Sequence, residues 1–150
     1  MSKPVVYLAG LISTGVPQSL QWRLAVSPRL ELAGFEVLSP MRGTDPSGLW
    51  QGGLVDPSLS PKDVVLRDFK DVKRSTVILA HLDNFGGDRP LLGTIAELAW
   101  AWQFQTPVVG VAELKNIYMR THPFVREFIT HYCFGAEEAV DFIVNYYGGS

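Results

Sequence analysis

Glu97 is the side chain whose surroundings in sequence are richest in chemical possibility. The spacing predicts a helix over Thr94–Gln105 that begins after Gly93, which puts the Glu97 carboxyl in the first helical turn. That turn lies directly above the carboxyl end of the preceding strand. Exposed backbone N–H groups there favour the ionised carboxylate by about 0.3–1 kcal/mol, which suits an anionic nucleophile better than a general acid. Acidic residues are also common in first helical turns for no other reason, so position alone leaves both readings open.

Asp68 lies on the helix before strand three, one residue after Arg67 and three before Asp71. Asp68, Asp71 and Lys73 could form a solvated face. Alternatively Asp68 points to the strand edge beside Glu97, making a carboxylate pair whose charges push their proton affinities apart. Tyr7, near the end of strand one, could reach a carboxylate above the sheet, although any buried phenol needs a partner for its hydroxyl. Arg42, Trp50 and Gln51 fall in a long loop, where an exposed tryptophan could stack on a flat ligand or simply plug the loop. Asp83 and Asp88 flank Asn84-Phe85-Gly86-Gly87, whose turn chemistry accounts for both.

Several chemistries are excluded. Strand one is followed by Gly10-Leu11-Ile12-Ser13-Thr14-Gly15 rather than GxGxxG, which argues against a dinucleotide fold of the usual kind. His81, His122 and His131 lack ligand spacing and there is no GxxxxGK[ST], so zinc hydrolases and P-loop enzymes fall away, and no metal site is expected. Thirteen Lys and Arg against fifteen Asp and Glu give a net charge of -2 without runs of one sign, so neither nucleic acid nor an anionic membrane is an expected partner. With 47% hydrophobic and 19% charged residues the composition is that of a globular chain. No apolar run approaches the roughly 18 residues needed to span a bilayer. The single Cys133 and a Met-Ser-Lys-Pro start without a signal-peptide pattern predict a cytoplasmic protein.

These residues need a frame. The chain length of 150 residues suits one domain, read here as 1–150. Strands are predicted at Pro4–Ala9, Phe35–Ser39, Thr76–Ala80, Pro107–Ala112 and Tyr132–Phe134, and helices at Ser19–Ala33, Ser60–Arg74, Thr94–Gln105, Pro123–His131 and Ala136–Tyr146. Pro28 predicts a kink or break near Ser27, Ser60-Pro61-Lys62-Asp63 a capping box, and Ile95, Leu98 and Trp102 a buried stripe. Strands alternating with helices imply an α/β, flavodoxin-like, doubly wound five-stranded parallel sheet in a three-layer sandwich. Its ligands would sit outside the carboxyl ends of the strands, against Gly10–Gln18, Pro40–Ser60, His81–Gly93 and Ala112–Thr121.

Val6-Tyr7-Leu8-Ala9-Gly10, Arg67-Asp68-Phe69-Lys70-Asp71-Val72 and Gly93-Thr94-Ile95-Ala96-Glu97-Leu98-Ala99 with Ala101 together resemble the nucleoside 2-deoxyribosyltransferase family and the related deoxynucleoside-monophosphate N-glycosidases, over residues 5 to 112. The resemblance implies that Glu97 is the nucleophile, Asp68 the catalytic aspartate near base and sugar, and Tyr7 the phenol that orients the nucleophile. Gly10, Ser13, Arg42, Trp50, Asp88, Gly93 and Asn116 are the candidate substrate-binding residues, of which Asn116 is the one that the resemblance implies. Asn116 matches an asparagine donated across a subunit interface, so a homo-oligomer is implied whose sites are completed by a neighbour; Phe134, Tyr146 and Tyr147 in the tail fit such a contact. Two departures stand out. Where transferases carry an aspartate and the hydrolases a phosphate-binding serine, this chain has Leu91, and Glu97 is followed by Leu98-Ala99 where many relatives have a glycine after the apolar residue. Asp88 could replace the missing aspartate, and Ser13 or Thr14 could form an anion nest.

What the resemblance implies is cleavage of the N-glycosidic bond of a 2′-deoxynucleoside, with the sugar held on Glu97 and passed to another nucleobase, without cofactor or metal. Hydrolysis of a deoxynucleoside 5′-monophosphate is the alternative. A reading of another class is a flavodoxin-like module binding flavin mononucleotide, on the strength of Ser13-Thr14-Gly15 after strand one, and a third is a catalytically silent ligand-binding domain.

Overall fold

The computed structural model describes residues 2–13, 15–41 and 60–148. In chain order the elements are β1 Val5–Gly10, α1 Gln18–Leu32, β2 Glu36–Leu38, α2 Pro61–Arg74, β3 Val77–His81, α3 Leu92–Phe104, β4 Val108–Val111, α4 Ile117–Thr121, α5 Pro123–Phe128, β5 His131–Cys133 and α6 Ala136–Tyr147. The strands form one parallel sheet in the order β2-β1-β3-β4-β5, the flavodoxin-like winding expected from the alternation of elements. Winding reverses between β1 and β3, where Tyr7 pairs with Ile78 and Gly10 with His81.

Because successive side chains on a strand face opposite sides, each central strand feeds two cores. Tyr7 and Ala9 of β1 and Ile78 and Ala80 of β3 pack with Val72 of α2 and Leu98 and Ala101 of α3. Val6, Leu8, Val77 and Leu79 face the other way, onto Trp22, Val26 and Leu30 of α1 and Ala139, Val140 and Ile143 of α6. Burial on both faces is why these strands read as continuous apolar runs.

Three local expectations are corrected. Helix α1 runs through Pro28 unbroken, because Leu24 and Pro28 both lie on its exposed face, where the carbonyl that loses its N–H partner meets solvent. On α3 the buried positions are Thr94, Glu97, Leu98 and Ala101, and Trp102 is largely exposed, since the helix turns its small and polar residues to the sheet. The short helix α4, capped by Asn116, carries no buried residue and so left no apolar periodicity to read. The ends of α1 and α2 follow local rules. Gly34, at φ +99, closes α1 with Gly34 N–H to Glu31 C=O and Phe35 N–H to Leu30 C=O, a Schellman motif. At the start of α2, Ser60 Oγ accepts from Asp63 N–H while the Asp63 carboxylate accepts from Ser60 N–H.

That box sets where α2 begins, and with it the height of Asp68 above the sheet. Ser60→Ala is expected to cost about 1 kcal/mol of stability, seen by circular dichroism as a Tm lower by about 2–4 °C. An unchanged Tm would show that the box contributes nothing.

Candidate active site

Tyr7 and Glu97 meet above the middle of the sheet. The Tyr7 hydroxyl donates to Glu97 Oε2, and neither residue is more than 8% exposed. Since α3 starts at Leu92, Glu97 stands in its second turn rather than its first, beyond the N-terminal N–H groups that were expected to hold it as an anion. Its environment acts in the opposite direction. Burial, opposed by the Tyr7 hydrogen bond, reinforced by the charge of Asp68 and relieved by that of Arg23, raises the Glu97 pKa to about 8. Burial, and then the neighbouring Glu97 charge, hold the Tyr7 pKa well above its ordinary value, so the phenol keeps its proton and remains the donor.

Asp68 approaches from α2, with Arg67 Nε donating to Asp68 Oδ1 at 3.4 Å. Arg67 Nη2 also donates to the Pro40 carbonyl at 2.7 Å, tying α2 to the chain leaving β2. Asp68, Glu97, Gly10 and Gly93 all line one open cleft of about 390 Å³, to which the chain after β1, Pro40 and the segment Arg89–Leu92 also contribute. Two carboxyl groups thus line one concave wall at the carboxyl edge of β1 and β3, and the charge of Asp68 acts on Glu97. Gly10, at φ +155, is required there: a Cβ would lie 3.2 Å from both the His81 carbonyl oxygen and the Trp22 ring.

A charged residue missed in the sequence reading lies behind this cleft. Arg23 is 2% exposed. Its guanidinium donates to the carbonyls of Ser19 (2.8 Å), Gly10 (2.9 Å), Leu11 (3.1 Å) and Leu8 (3.4 Å), and packs 4.8 Å from the centre of the Trp22 ring. Burial lowers its pKa only to about 10, so it stays a cation. The spacing Ser19, Arg23, Val26, Leu30 carries the signal that places Arg23 on the buried stripe of α1. Beside it His81 packs between the tilted rings of Trp22 and Phe85, and burial pushes its pKa down to about 4, which leaves the ring neutral.

The other predicted residues divide. Ser13 is buried and its N–H donates to Ser19 Oγ (3.0 Å), so that amide is not offered to the cleft. Leu91 is buried and lines the cleft as an apolar group. Asp88 and Asn116 line a neighbouring cavity of about 1030 Å³ instead, between the loops that follow β3 and β4. Asn116 caps α4 by accepting from Met119 N–H and donates to Asp83 Oδ1 (2.7 Å) and the Leu82 carbonyl (3.2 Å), so both amide protons are engaged within the chain. Arg42, Trp50, Gln51 and Thr14 lie outside the described residues. Among the described residues no three His, Cys, Asp or Glu side chains gather as a metal site, and no helix is long and apolar enough to cross a membrane.

No protein-family model matches this chain, and no curated protein matches it in sequence. Solved structures do match in shape. A 2-desoxiribosyltransferase from Leishmania mexicana superposes with a TM-score of 0.67 at 13% identity, over 95% of this chain and 98% of that one. The CMP N-glycosidase BcmB of Clostridium botulinum gives 0.62 at 17% identity, over 95% and 99%. A conserved protein from Enterococcus faecalis V583 gives 0.57 at 15% identity, over 94% and 88%. Likeness at such identities is likeness of fold: this chain has the same flavodoxin-like α/β architecture along nearly its whole length, and its chemistry must be argued from its own side chains.

Proposed function

We propose that this protein cleaves the N-glycosidic bond of 2′-deoxynucleosides and transfers the deoxyribosyl group to another nucleobase through a covalent intermediate on Glu97. The observation that carries this reading is the Tyr7–Glu97 hydrogen bond on the wall of a cleft that Asp68 also lines. The fold shared with a 2-desoxiribosyltransferase and with a CMP N-glycosidase supports it.

The bond breaks through an oxocarbenium-like state, which one carboxylate can trap while an acid serves the leaving group. In this reading ionised Glu97 forms a bond from its carboxylate oxygen to C1′. The C1′–N electron pair returns to the base, which takes a proton from Asp68. An incoming base then attacks C1′, its displaced proton passing back to the Asp68 carboxylate and the C1′–O electron pair returning to Glu97, so two inversions retain configuration. Tyr7 steadies the attacking carboxylate, with Gly10 and Gly93 leaving room for the sugar. Water in place of the second base gives hydrolysis, the outcome if the cleft closes poorly. Asp88, Asn116, Ser13, Arg42 and Trp50 remain proposed substrate contacts. The exposed Leu92, Tyr118 and Phe124 beside the larger cavity support a second copy of the chain completing the site.

Glu97→Gln keeps an acceptor for the Tyr7 hydroxyl but has no nucleophilic oxygen anion. It should abolish release of free base from deoxynucleosides, followed by chromatography with and without an acceptor base. Because burial raises the folded-state pKa of Glu97 from its ordinary 4.5 to about 8, the native protein loses the stability this group contributes as pH rises from about 4.5 to about 8, so the variant's Tm should gain on that of the native protein across that window and hold a constant difference above it. Substantial turnover by Glu97→Gln removes Glu97 from the nucleophile role.

Attack requires ionised Glu97 while departure of the base requires protonated Asp68, so the limb of the pH–rate profile that Glu97 sets should lie near pH 8. Tyr7→Phe deletes the hydrogen bond that favours ionisation, and its pH–rate profile should shift to higher pH with a lower plateau. A profile unmoved by Tyr7→Phe would show that the phenol does not act on the nucleophile.

A further inference from the structure

We infer that Arg23, which touches no substrate, is the positioning residue of this site: it holds the chain after β1 so that the Leu11 and Ile12 amides face the cleft, and it sets a fixed positive charge behind Tyr7 and Glu97. The inference deepens the proposed glycosyl-transfer reading and rests on it for the identity of the substrate.

The geometry follows from the planar trans peptide, in which a C=O and the next N–H point in opposite directions. Arg23 draws the Gly10 and Leu11 carbonyls inward, onto Nη2 and Nη1. The Leu11 and Ile12 N–H groups are thereby turned outward, and Leu11 and Ile12 line the cleft beside Glu97. In the sheet, the residue following β3 and the residue following β4 each donate to the neighbouring strand, Leu82 to Val111 and Ala112 to Cys133. Leu11, following β1, makes no such bond, because Gly10 at φ +155 swings the chain away from β3. Two adjacent amide donors thus stand at the cleft with no partner among the described residues, in a place where they can bond an oxygen of the substrate.

A guanidinium is the group that can do this, since only its fork places several donors in one plane on several carbonyls. Its charge acts as well. The groups facing Glu97 are Tyr7 from β1, Arg23 from α1, and Asp68 and Asp71 from α2, so Arg23 is the cation among them and opposes the two aspartates.

The test uses the full chain with two variants. Arg23→Lys keeps the charge and loses the fork. Its Leu11 and Ile12 amide resonances should move or broaden and its kcat/KM for a deoxynucleoside should fall by about tenfold to a hundredfold, mostly through KM, while the Glu97 carboxyl titration, followed by carbon-13 NMR and assigned with Glu97→Gln, stays in place. Arg23→Gln removes the charge and should move that titration to higher pH. Native amide resonances together with native kcat/KM in Arg23→Lys overturn the inference, as does an unmoved Glu97 titration in a folded Arg23→Gln; should Arg23→Gln not fold, Arg23→Lys decides. If the native protein releases no base, the glycosyl reading fails, and the amide and carboxyl resonances still judge Arg23.

Discussion

The desolvation of one carboxyl group governs this structure. Placing Glu97 against the apolar face of the sheet costs free energy in its ionised form, and that cost is opposed from two directions: the Tyr7 hydroxyl by direct hydrogen bond and Arg23 by charge. Each of those partners is itself held by the fold. Tyr7 is fixed in the buried stretch Val5–Ala9 of β1, and Arg23 is fixed by four backbone carbonyls. The result is a carboxyl that keeps its proton at neutral pH and gives it up near pH 8.

Parallel winding supplies the site for this balance. Parallel pairing brings every strand's carboxyl end to one edge, and the reversal between β1 and β3 parts the connecting segments there. The carboxyl of α3, that of α2 and the turn after β1 converge in the gap. Two of the arginines that organise it are used structurally. Arg67 links α2 to Pro40, and Arg23 links α1 to the end of β1, so elements far apart in sequence are locked at the point where chemistry would occur. The apolar Leu91 in the wall of the cleft distinguishes it from a site that would read substrate with an aspartate or a serine at that place.

Much of this was legible without coordinates. All five strands, every helix except the short α4 and the capping box on α2 came from apolar runs and turn residues, because those signals are local. Glu97, Asp68 and Tyr7 were legible as candidates by type and position. Errors occurred where a neighbour overrides local preference. Two residues' difference in the start of α3 moved Glu97 from a stabilising helix terminus into a desolvated second turn and reversed the direction of its pKa. Pro28 did not break α1, because its face is exposed. Arg23 was not singled out at all, although its spacing with Val26 and Leu30 already placed it on the buried stripe.

By itself the sequence determined the winding of the sheet and the residue types gathered at its carboxyl edge, since hydrophobic periodicity and turn chemistry act over a few residues and need no knowledge of what packs against them. Only the tertiary structure decided the protonation of Glu97, the inward turn of Arg23, the separation of Asp88 and Asn116 into a neighbouring cavity and the two amides left facing the cleft. Those properties depend on dielectric surroundings and on hydrogen-bond partners many residues away, and both come into existence only when the chain has closed on itself.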